Sequence, residues 1–90
     1  MPLADLMSMR KLSTSDQLLL LMHNLGLIDE RRSQAINELK KMTRISSEQL
    51  AEILEKHEES GYIKSIKGRQ GLLHYFLTGK GIIRVSSTFT

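Results

Sequence analysis

Ninety residues are enough for one domain with a single small core and too few for two. Hydrophobic residues make up 40% and charged residues 26%, an ordinary globular balance, and the lack of Cys removes disulfide frameworks, thiolate zinc sites and thiol nucleophiles. The net charge of +3 is segregated: residues 1–45 carry +2, residues 46–60 carry −4, and residues 61–90 carry +5 with no acid at all.

The longest apolar run, residues 18–22, falls far short of the roughly 20 residues that span a bilayer. No basic start followed by an apolar segment and a cleavage site opens the chain, so a cytoplasmic protein with no membrane partner is expected.

Residues 1–12 place Leu3, Leu6 and Met7 at helical spacing behind Pro2, which suits an N-terminal arm or short helix. The first clear helix spans residues 13–26. Ser13, Thr14 or Ser15 can cap it, Asp16 suits its positive end and Gly26 follows its last turn. Its apolar residues cover more than one face, and a helix apolar on most sides is buried on most sides. Leu18, Leu21 and Met22, with Leu6 and Met7 from the arm, are therefore candidates for a homodimer interface, against plain intramolecular core.

A short extended link, Leu27-Ile28, leads to a second expected helix. It starts from Asp29 as a capping candidate and puts Ala35, Ile36, Leu39 and Met42 on one side. Thr43, Arg44 and Ile45 form a tight turn. The third helix, residues 46–60, opens on Ser46 as N-cap with Gln49 three residues on, a capping-box pattern. Leu50, Ile53, Leu54 and His57 share one face, and Gly61 ends the helix. Residues 62–67 and 72–77 read as strands joined by the turn Gly68-Arg69-Gln70-Gly71, a basic hairpin. Residues 82–90 are a C-terminal tail whose conformation stays open: Gly79, Gly81 and the β-branched residues favour an extended tail.

This order, with these residues, resembles the winged helix-turn-helix domains of bacterial and archaeal transcription regulators of the MarR and PadR kind. The likeness covers residues 13–81. It is carried by Ile45-Ser46, Leu50, Leu54, Glu58 and Gly61-Tyr62-Ile63, then Gly68-Arg69, Tyr75, Leu77-Thr78 and Gly81. The resemblance implies a mainly α fold with a small β-hairpin (α+β), a three-helix winged helix-turn-helix. It also implies a helix after Leu77-Thr78, against the extended tail. The third helix would enter the major groove of double-stranded DNA, and the hairpin would lie on the backbone or in the minor groove. The implied function is a small DNA-binding transcriptional regulator, sequence-specific or architectural. Arg44, Ser46, Ser47 and Gln49 at the third helix's start, and Lys64, Lys67, Arg69 and Gln70 on the wing, are the candidate contacts. Ser46 and Gln49 also have a plain capping role, and Arg69 reads otherwise as an exposed turn charge.

One feature cuts across the family pattern. At about 100° per residue, with Glu48 at 0°, Glu52 lies near 40°, Glu55 near −20° and Glu59 near 20°, while the core residues centre near 190°. The four glutamates point directly away from the core, toward the side offered to DNA. A glutamate about 6 Å from a phosphate, at an effective dielectric near 40, costs on the order of 1 kcal/mol. The stripe is a solvated face, a reader of cytosine through Glu48 or Glu52, a surface for a basic protein partner, or a limit on non-specific DNA affinity. A winged-helix module for protein–protein contact is the competing function.

His57 stands where an apolar residue is usual and reads as a packing histidine. His23 and His74 share no metal-ligand spacing with it, so neither a metal nor another cofactor is expected. Tyr75 reads as hairpin packing. No catalytic constellation emerges, and Gly68 to Gly71 is a hairpin turn instead of a phosphate-cradling loop, so no enzyme is expected.

Overall fold

The computed structural model describes residues 13–68 and 71–89. Helix α1, Thr14–Asn24, begins where Ser13 accepts the backbone N–H of Asp16 at 3.1 Å. It ends with Gly26 at φ 72°, where Leu27 N–H reaches back to the Met22 carbonyl and Gly26 N–H to that of His23. This paired closure satisfies two carbonyls that a helix end leaves open.

The segment after Asp29 corrects the expectation of one long second helix. Asp29 does cap, but it caps a single 3-10 turn, Glu30–Arg32, by accepting Arg32 N–H at 2.9 Å. The chain then extends through a two-residue strand β1, Gln34–Ala35, and only then winds into helix α2, Ile36–Met42. Leu39 is the fully buried residue of α2.

Helix α3, Ser47–Glu59, follows the expected boundaries. Ser46 accepts Gln49 N–H at 3.2 Å, and Leu50, Ile53, Leu54 and His57 are buried. Gly61, at φ 82°, closes it: Tyr62 N–H bonds the His57 carbonyl and Gly61 N–H that of Glu58. A side chain with a Cβ resists this left-handed geometry, which accounts for glycine there.

Strands β2, Ile63–Lys67, and β3, Leu73–Leu77, pair antiparallel from Ile63 opposite Leu77 to Lys67 opposite Leu73. Gly68 N–H to the Leu72 carbonyl, 2.7 Å, closes the hairpin end. The hairpin is not alone. β1 joins the free edge of β3, Gln34 opposite Tyr75 and Ala35 opposite His74, giving a three-stranded sheet in the order β1-β3-β2.

Helix α4, Gly79–Phe89, settles the open question about the tail in favour of helix. Residue 81 therefore falls inside an element and does not end one. Val85 is buried against the core, and Arg84 pairs with Asp16 of α1 at 3.4 Å. The architecture is α+β, with four helices and a three-stranded antiparallel sheet among the described residues. One apolar core joins Leu18, Leu19, Met22, Leu39, Leu50, Leu54, Ile63, Leu77 and Val85.

Candidate nucleic-acid interface

The turn between α2 and α3 and the first turn of α3 form one exposed edge. Arg44, Ser46, Ser47 and Gln49 all lie on it. Ser46 is held by its capping bond and still has a hydroxyl hydrogen to donate. Arg44 and Gln49 flank a groove of about 450 Å³ whose floor is Leu18, Leu21, Met42 and Ile45. Ser47 borders a smaller cleft on the other side of α3, about 240 Å³, with Ile36, Asn37, Lys40 and Leu50. Asn37 and Lys40 were not singled out from sequence. Their spacing of three is the same in the longer helix the sequence suggests; what the sequence does not show is the packing that brings α2 beside the start of α3.

The glutamate stripe is as the helical wheel places it. Glu48, Glu52, Glu55 and Glu59 are exposed. The ion pairs among the described residues join Lys41 to Glu38 at 3.3 Å and Arg84 to Asp16 at 3.4 Å, so none of the four is neutralised that way.

The two lysines of β2 part company. Successive side chains of a strand alternate between faces. Lys67 therefore shares the face of Ile63, whose side chain is in the core, and Lys64 takes the other. Lys64 lines a hollow that Asp29, Glu30 and Phe76 also line. Arg69 and Gln70 lie outside the described residues, as do Leu6 and Met7. Of the remaining pairing candidates, Leu18 and Met22 are enclosed in the chain's own core and Leu21 is half-buried. Met22 is fully enclosed, and Leu18 is nearly so, meeting the surface only at the floor of the groove beside Arg44 and Gln49.

His57 is 5% exposed. Its Nε2 lies 2.9 Å from the Ser15 carbonyl and 3.0 Å from Ser15 Oγ. A carbonyl can only accept, so Nε2 carries a proton. Burial is the main force holding its pKa below the usual histidine value; the Ser15 bond and Asp16 pull the other way, and Arg84 adds to the lowering. Burial, and secondarily Glu58, raise the Tyr75 hydroxyl. Among the described residues no group of three or more His, Asp or Glu could hold a metal ion. No helix among them is long and apolar enough to cross a membrane.

Three solved structures share this architecture. TubR from Bacillus megaterium pBM400 superposes with a TM-score of 0.75 at 20% identity, covering 87% of each chain. A possible HxlR family transcriptional factor from Thermoplasma volcanium GSS1 gives 0.69 at 18% identity, over 90% of this chain and 69% of that one. The oxidized form of MarR from E. coli gives 0.60 at 23% identity, over 98% and 71%. No protein-family model and no curated protein sequence matches the chain. At these identities the likeness establishes the fold alone, a winged helix-turn-helix. α2 and α3 are its helix-turn-helix, and β2 and β3 its wing.

Proposed function

We propose that this chain is a small DNA-binding transcriptional regulator. Its α3 enters the major groove N-terminus first, and its wing lies along the phosphate backbone. The observation that carries the reading is the edge formed by Arg44, Ser46, Ser47 and Gln49, exposed at the start of α3. It stands on the same frame as a C-terminal third without a single carboxylate. Lys67 and Arg69 are the wing's phosphate contacts; Lys64, on the opposite face of β2 in a hollow that Asp29 and Glu30 also line, contributes less. Asn37 and Lys40 extend the contact surface along α2. The regulator acts in the cytoplasm as a homodimer, with pairing drawn from residues 1–12, Leu21 and Ile83, which is 66% exposed on α4.

A second reading has its own observation. Four glutamates without an ion pair among the described residues face outward along α3, and a basic protein surface would complement them. Gel-shift titration on pooled genomic fragments at two salt concentrations separates the two. A DNA regulator binds tightly at low salt and loses affinity steeply as salt rises. Negligible binding at both, with a basic protein retained on the purified chain, selects the second reading.

A further inference from the structure

Four elements meet at one point beneath the wing: the end of α3, the start of β2, the end of β3 and the start of α4. Thr78, half-buried, is the knot. Its hydroxyl donates to the Gly61 carbonyl at 2.5 Å and accepts Gly81 N–H at 3.0 Å, capping α4. Its own N–H donates to the Tyr62 carbonyl at 3.0 Å. Gly61 is the residue that closes α3, and Tyr62 the one that leads into β2. Gly81 is bound to be small here, because a Cβ would lie 2.1 Å from the Tyr62 carbonyl oxygen.

We infer that Thr78 is a positioning residue that sets the angle between the wing and α3, and so places Lys67 on DNA. The wing is also held by β1, which pairs with His74 and Tyr75, by the Leu77 N–H bond to the Leu27 carbonyl at 2.7 Å, and by Ile63, Tyr75 and Leu77 in the core; none of these fixes it to the end of α3 through a side-chain hydrogen bond. The Thr78 side chain bridges the wing's end to the backbone that terminates α3. The five residues of each strand carry the hairpin about 17 Å from this knot, so a rotation of about 10° moves its far end by about 3 Å. That exceeds the tolerance of a hydrogen bond to a phosphate. A threonine hydroxyl can serve as donor to one backbone and acceptor for another at once; valine has the same shape and can do neither.

The inference rests on the DNA-binding reading for its consequence and on geometry alone for its cause, and the two are tested separately. The chain has no Cys, so Glu55→Cys and Leu72→Cys place spin labels on α3 and at the wing's end in the full chain. Without DNA, Thr78→Val shifts or broadens the label-to-label distance by about 3 Å, while Thr78→Ser retains the original distribution. On a duplex, Lys67→Gln lowers the slope of log affinity against log salt by about one unit in the natural chain. In Thr78→Val that slope is already reduced, and adding Lys67→Gln changes it little. A purely structural Thr78 would lower the melting temperature and leave the Lys67 increment intact. An unchanged label distance, an undiminished Lys67 increment, or a Thr78→Val chain that does not fold overturns the inference. If no duplex binds, the functional reading fails, and the label distances still decide whether Thr78 sets the angle.

Discussion

Lys64 and Lys67 stand on the same strand and leave it through opposite faces, and Lys64 lines the hollow that Asp29 and Glu30 also line. A basic hairpin is therefore not uniformly basic toward one partner. Lys67→Gln should weaken duplex binding for all sequences alike and cut the salt slope by about one unit. Lys64→Gln should leave both nearly unchanged. Fluorescence anisotropy at four salt concentrations measures the two variants side by side; equal losses would mean that the face assignment does not govern contact.

The buried neutral His57 makes stability depend on pH. Its folded-state pKa lies below the value of about 6.5 it has in an unfolded chain, so the unfolded state takes up the proton first. Stability is fully present above pH 6.5 and declines as pH falls through that value toward the lower folded pKa. Urea melts between pH 5 and 7.5 should show this decline, and His57→Leu should flatten the part of it that histidine causes. A natural chain equally stable across that range would contradict the assignment.

Two glycines of α4 should respond in opposite senses. Around Gly79 there is open space, so Gly79→Ala should raise stability by roughly 0.5–1 kcal/mol by removing backbone freedom from the unfolded chain. Gly81→Ala drives a methyl into the Tyr62 carbonyl and should cost more than about 1 kcal/mol, lowering the melting temperature by several degrees. Thermal melts followed by circular dichroism decide both.

The cap of α3 carries a separable contribution. Ser46→Ala removes the acceptor for Gln49 N–H and should cost about 1 kcal/mol, while Ser46→Asp should keep most of it. If Ser46 also donates to DNA, Ser46→Ala should bind duplex less well than its stability explains, since the hydroxyl donor is lost. A matched loss in both properties would confine Ser46 to capping.

Local rules made α1, α3 and the wing legible. Ser13 and Ser46 cap, Gly26 and Gly61 terminate, and the spacing of Leu50, Ile53, Leu54 and His57 marks the buried face. What escaped was set by distant partners. Gln34 and Ala35 form a strand only because β3 offers a free edge, and nothing in a run that spaces Ala35, Ile36 and Leu39 helically announces that. α4 carries two glycines and several β-branched residues, so intrinsic preference argues against it; the Thr78 cap and the burial of Val85 override that preference. Leu18 and Met22 are apolar for the core, and pattern alone could not separate core from a pairing surface. The candidate site was only partly legible. Residue types named Arg44, Ser47 and Lys67, whereas Asn37 and Lys40 needed the fold to bring α2 beside the start of α3.

The central claim is that the start of α3 and one face of the wing contact duplex DNA. Amide chemical-shift mapping of the full chain, titrated with a short duplex at low salt, tests it most directly. The account predicts that the largest shifts fall on residues 44–49 and 67–68, with smaller ones at Asn37 and Lys40 and little change at Lys64. Shifts absent throughout, or concentrated at Glu52, Glu55 and Glu59 only when a basic protein is added, would contradict it.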